Sequence, residues 1–267
     1  MLVHKAIVEP GDHVLSIVPT YQQHYSIPKS IQADVTTLAL RGEDGFLPDL
    51  EALKAAVKPN TKLIAFTNPN NPTGALIERP MLEDMVNIAD SVGAYLLCDE
   101  VYRGTGQVGD GMSPSIADLY SKGISTAGMS KVFSLAGLRV GWVIAPQEVR
   151  EQVLIHRDYD TISVGMINDH FSAIALEHAD KVLARSHEIT RGNLALLDAW
   201  IAKEPKVSWV KPRAGTTAML KLNIPVTDRE FCIDLVTKTG VMLTPGEAFD
   251  RDTRLGERGA DGRLAPV

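Results

Sequence analysis

Cysteine is scarce in this sequence: Cys98 and Cys232 are the only two in 267 residues. Two thiols cannot build a disulfide framework. Both sit in apolar runs, so reduced core thiols in a cytoplasmic protein are the expectation. There is no Lys/Arg-rich run, and the formal net charge is −6. That balance argues against a nucleic-acid partner, whose phosphates call for a basic surface. No apolar stretch reaches the roughly 20 residues of a membrane-spanning helix. The opening Met1-Leu2-Val3-His4-Lys5 has no hydrophobic h-region, so no signal peptide is expected. Internal repeats, low-complexity tracts and flexible linkers are also missing, and no metal site is expected. What is there is 45% hydrophobic residues, enough for a sizeable core in one or two domains.

Short β-rich runs alternate with helical patterns along the first part of the chain. The strands read as His13–Val18, Val35–Leu40, Lys62–Thr67, Ala94–Cys98, Ile124–Ala127 and Val140–Ala145, and the helices as Asp49–Val57, Pro80–Ser91 and Glu148–His156. Leu63-Ile64-Ala65-Phe66 and Tyr95-Leu96-Leu97-Cys98 are unbroken apolar runs, the pattern of strands buried on both faces. Such strands alternating with helices predict an α/β fold, with a mainly parallel central sheet flanked by helices. After about residue 165 the character changes. Helices near Asn168–His178 and Asp180–Lys203 lead into strands Lys206–Val210 and Thr216–Leu220. A helix near Arg229–Thr239 and a strand Val241–Thr244 follow. This predicts a larger unit over 1–190 and a smaller α+β unit over 191–267, with the boundary inside the long helix.

Open α/β sheets bind ligands beyond the carboxyl ends of their strands. Four strands here are followed by chemically interesting residues: Pro19-Thr20-Tyr21, Asn68 to Gly74, Asp99-Glu100-Val101-Tyr102 and Gly128-Met129-Ser130-Lys131. Lys131, at a strand end in an apolar setting, is a candidate nucleophile. Taken alone, Ser130-Lys131 reads as a solvated surface pair. Arg139, between Gly137 and Gly141, suits an anion approached closely by backbone, or an ordinary ion pair. Asp99 and Tyr102 read singly as a loop acid and a rim aromatic, and Asn71 as a turn residue. Tyr21 offers an aromatic face. His24 could support Asp99 from behind, although a lone histidine is more often a satisfied core residue.

In this order the pieces resemble the aminotransferase class I/II family of the fold type I pyridoxal 5′-phosphate (PLP) enzymes. That family's pattern runs Pro-x-aromatic, Asn-Pro-x-Asn-Pro-Thr-Gly, Asp-Glu-x-Tyr, then Ser-x-Ser-Lys with an arginine eight residues on. The steps here are 28 residues from Asn71 to Asp99, 32 from Asp99 to Lys131 and eight from Lys131 to Arg139. The resemblance covers nearly the whole chain and extends to Pro245-Gly246-Glu247-Ala248-Phe249. It implies that Lys131 holds PLP as a Schiff base and that Asp99 pairs with the pyridine nitrogen. Asn71 and Tyr102 would bind the ring oxygen, Arg139 and Ser130 the phosphate, and Tyr21 would stack on the ring.

Three departures stand out. Gly128 replaces the family's earlier phosphate-loop serine. Pro10-Gly11-Asp12-His13-Val14 comes almost at the start, so the family's N-terminal arm and its Gly/Ser-rich phosphate turn have no counterpart in this sequence. After Phe249 the chain is polar and Gly/Arg-rich, without strand alternation, so no substrate-carboxylate arginine is assigned to Arg254, Arg258 or Arg263. The resemblance implies a cytoplasmic homodimer that transfers an amino group between an α-amino acid and a 2-oxo acid. The alternatives are another PLP reaction (lyase, racemase, cyclase or oxidase) or a truncated, catalytically impaired fragment that binds PLP weakly.

Overall fold

The computed structural model describes residues 1–249. The segment Asp250–Val267, read above as an atypical tail, lies outside the described residues. Six strands form one sheet in the order β2-β1-β3-β4-β5-β6. They are β1 His13–Val18, β2 Asp34–Ala39, β3 Thr61–Thr67, β4 Tyr95–Asp99, β5 Gly123–Gly128 and β6 Gly141–Ile144. The first five are mutually parallel, and β6 runs antiparallel to β5.

Strand alternation explains why the sheet is covered on both sides. On β3, Ile64 and Phe66 enter one core, with Leu53 of α3 (Leu50–Ala56) and Leu82 and Met85 of α4 (Arg79–Val92). Leu63 and Ala65 enter the other, with Val3 of α1 (Leu2–Ile7) and Val149 of α6 (Gln147–Arg157). Both sets are apolar because both faces are buried. Helix starts and stops follow local chemistry. The Asp49 carboxylate accepts from the Glu51 and Ala52 amides, and Gly93 closes α4 at φ 71°.

The remaining helices are α2 (Gln23–Ser30), α5 (Ile116–Leu119), α7 (Met166–Glu177), α8 (Ala179–Ile201) and α9 (Asp228–Thr239). A second sheet pairs β7 (Val207–Trp209) with β8 (Leu220–Leu222) antiparallel. Helix α8 runs unbroken through residue 190.

Several expectations need correction. Helices α1 and α2 escape the sequence pattern because one is only six residues long and the other is polar and carries Pro28. Residues 241–244 form no strand and are exposed. The strand expected at Thr216–Leu220 begins only at Leu220, because the chain just before it is diverted to the main sheet's loops, as described below. Cys98 is in the core, where burial pushes its thiol well above the usual range, whereas Cys232 is only half-buried on α9. Both are free thiols.

Candidate active site

The parallel register puts the ends of β1, β3, β4 and β5 side by side on one edge of the sheet. Asp99 is the last residue of β4, and Tyr21, Asn71, Tyr102, Ser130 and Lys131 follow these ends. Arg139 precedes the antiparallel β6 and so enters from the same edge.

The loop after β3 is built by its own asparagines. Asn68 Nδ2 donates to Ile77 O at 3.0 Å, and its Oδ1 accepts from Ile77 N at 2.8 Å. Asn70 Oδ1 accepts from Thr73 N and Thr73 Oγ1, and Nδ2 donates to Pro19 O at 3.2 Å. Thr20 Oγ1 and Thr67 Oγ1 lie 2.9 Å apart and join the ends of β1 and β3. These groups are buried and hold the loop. Asn71, between them, is half-buried, and its amide has no partner among the described residues. It is therefore free to meet a ligand.

Gly74 needs to be glycine. Its φ is 71°, and a Cβ there would stand 2.5 Å from Pro212 Cβ and 2.8 Å from Ala214 O. Its carbonyl accepts from the Arg213 and Ala214 amides. Gln107 N donates to Arg213 O, and Gly215 N donates to Thr105 Oγ1 at 2.7 Å. The segment 212–215 thus straps the loops after β3 and β4. Sequence reasoning missed this strap, since nothing local marks it.

The Asp99 carboxylate, about one-fifth exposed, accepts from Val101 N, and His24 Nε2 faces its other oxygen at 4.0 Å. His24 is buried. Tyr102 is also buried, and desolvation holds its phenol above the ordinary range while Thr216 opposes that shift. The neighbouring Glu100, to which sequence reasoning gave no role, is a buried carboxylate. It accepts from Ser115 Oγ and Ile116 N, and burial raises its pKa. It fixes the start of α5 and the far end of this loop.

Lys131 is exposed and forms no ion pair among the described residues. It lines a cavity of about 320 Å³ together with Thr105, Val132, Trp209 and Thr216. Of the seven candidate residues, only Lys131 lines this cavity; the others lie around the open sheet edge. Ser130 is half-buried and Arg139 exposed, with Arg139 Nη1 donating to Ala136 O at 2.9 Å and its backbone left-handed at φ 55°. At Gly128 a Cβ would come within 3.0 Å of Val140 O, so the β5–β6 crossing is tight where the family pattern has a serine.

The donor set fits PLP: an amine for its aldehyde, a carboxylate backed by imidazole for its ring nitrogen, and an unpartnered amide and a buried phenol for its ring oxygen. A guanidinium and a hydroxyl remain for its phosphate.

The architecture is that of the fold type I PLP-dependent enzymes. The chain belongs to the family described as "Aminotransferase class I and II", whose profile matches residues 2–264. Among similar proteins is a PLP-dependent aminotransferase structure from Streptococcus suis 89-1591. It superposes with a TM-score of 0.89 at 44% identity, over 94% of this chain and 66% of that one. Capreomycidine synthase of Streptomyces vinaceus is 29% identical over 91% of this chain and 63% of its own length. An aspartate aminotransferase of Pyrococcus horikoshii is 27% identical over 94% and 65% respectively. The structure of a PLP-dependent cyclase, OrfR, gives a TM-score of 0.85 at 28% identity, over 93% of this chain and 67% of that one. The chain thus spans about two thirds or less of the curated relatives' length.

Proposed function

We propose that this chain carries the cofactor site of a PLP-dependent aminotransferase, moving an amino group from an α-amino acid to a 2-oxo acid. The observation behind this reading is that Asn71, Asp99, Tyr102 and Lys131 lie at or just after the ends of three adjacent parallel strands. PLP, when bound, supplies an aldehyde and an electron-accepting ring. Lys131 is the residue that would hold PLP through its amine, and once free that amine would move the proton at the substrate Cα as general base and acid. Asp99 keeps a proton on the ring nitrogen by charge pairing, with His24 behind it. Asn71 and Tyr102 donate to the ring oxygen. Arg139 and Ser130 bind the phosphate, and Tyr21 packs on the ring.

The division into a cofactor-binding unit over 1–190 and a smaller unit over 191–267 belongs to the same proposal, as does self-association as a homodimer. Exposed Tyr159, Ile162, Met166, Ile167 and Phe171 form an apolar stretch that supports association. The two free thiols support a reducing compartment such as the cytoplasm.

A second reading is amino-acid chemistry other than transfer. It is favoured by the likeness to a capreomycidine synthase and to a PLP-dependent cyclase. One experiment separates the two. The PLP-loaded protein is mixed with single amino acids and the visible spectrum is followed. Transfer converts the bound cofactor to its amine form, and a 2-oxo acid restores it. A product formed with the cofactor unchanged and no need for an oxo acid establishes the second reading.

A further inference from the structure

Behind Asp99 the structure holds a second buried imidazole. His4, on α1, is 3% exposed, and neither of its ring nitrogens has a partner among the described residues. Its ring lies edge-on to that of His24, with centroids 6.0 Å apart and planes at 80°. His24 Nδ1 is buried and unpartnered too, while His24 Nε2 faces Asp99 Oδ2 at 4.0 Å.

Unpaired buried polar atoms are rare in native proteins because each costs about 1–3 kcal/mol. Three of them, on the two neighbouring imidazoles, fit a single bridging water, which takes two to four polar partners. We infer that His4 is a positioning residue for Asp99, acting through His24: a hydrogen bond from the His4 side, through one water, is accepted at His24 Nδ1 and so fixes the His24 proton on Nε2, toward Asp99. This inference rests on the role proposed above for Asp99.

The chemistry is consistent. A neutral histidine has one N–H and one acceptor nitrogen, so whichever nitrogen accepts sends the proton to the other. Burial, with the His24 ring adding to it, pushes His4 down to about pKa 3, so His4 stays neutral and can both donate and accept. With Nε2 protonated, His24 presents a donor to the carboxylate rather than a lone pair. Asp99 is then held both by its own loop, through Val101 N, and from behind.

The test is nitrogen-15 NMR of the histidine rings in the protein without PLP, assigned with His4→Phe and His24→Phe. In the unmodified protein His24 should show its proton on Nε2 and an accepting Nδ1. In His4→Phe the two His24 nitrogen shifts should move toward each other as the tautomers mix, and His4→Gln, which keeps a polar end, should restore the separation. His24 protonated on Nδ1 in the unmodified protein overturns the inference, and that result needs no folded variant. So does a His24 spectrum unchanged by His4→Phe. The PLP reading stands or falls separately, on whether borohydride fixes the cofactor to Lys131.

Discussion

Gly74 and Pro212 approach so closely that a Cβ on residue 74 would lie 2.5 Å from the Pro212 Cβ. The loop carrying Asn71 is thereby pinned to a segment more than a hundred residues later in the chain. Gly74→Ala should lose roughly 1–3 kcal/mol or more, because it combines a strained φ with a backbone collision. A urea midpoint that does not move would show that the strap yields freely.

The two asparagines of that loop should behave differently. Asn70 is buried and bonded to Pro19 and Thr73, so Asn70→Ala should destabilise the fold by roughly 1–3 kcal/mol. Asn71 has no partner among the described residues, so Asn71→Ala should shift stability by no more than about 0.5 kcal/mol. It should instead change the visible spectrum of bound PLP. Equal losses of stability for both variants would contradict this division of labour.

Lys131 is the residue assigned to the covalent link. Borohydride treatment of the protein with PLP should fix the cofactor to the peptide containing Lys131, and Lys131→Ala should abolish the adduct. Mass spectrometry placing it on another lysine would overturn the assignment.

Asp99→Asn should leave PLP able to bind while depressing turnover. The loss should be on the order of 3 kcal/mol, or 10²–10³ in kcat, as for other groups aimed at developing charge. Near-normal transfer by this variant would rule out the charge-partner role.

His4 also makes the fold sensitive to acid. Its folded pKa is about 3, below the unfolded value of 6.5. Between those limits the unfolded chain binds the extra proton, so stability is complete above pH 6.5 and falls as pH drops toward 3. The slope from this one group should be about 1.4 kcal/mol per pH unit inside the window. Burial also lowers His13, which bonds Thr61 and Thr36, and adds in the same direction. Urea midpoints measured from pH 7 to 4 should fall less steeply in His4→Phe than in the unmodified protein; parallel profiles would show that His4 titrates freely.

Much of the sheet is legible from sequence. The limits of His13–Val18 agree with β1, and the other main-sheet strands agree within about a residue; the clearest are β3 and β4, whose unbroken apolar runs lie in the buried middle of the sheet. Helices α3, α4 and α6 are also legible, since each carries amphipathic spacing and α3 and α4 add clear caps. The strand expected at 241–244 shows the limit. Val241, Met242 and Leu243 have strand-like composition but remain exposed, and composition does not supply a neighbouring strand to bond with.

The sequence by itself determined the order of the chemical groups and their position just after strands. Alternating β and α patterns leave a parallel sheet as the way to bury those strands, and such a sheet brings its carboxyl ends together. Tertiary structure alone decided what stands behind those groups. His4 reaches His24 only because α1 folds against one face of the sheet, and residues 212–215 reach Gly74 only because the chain returns from α8 and β7. Contacts between distant segments depend on shape and packing, which leave no local periodicity to read.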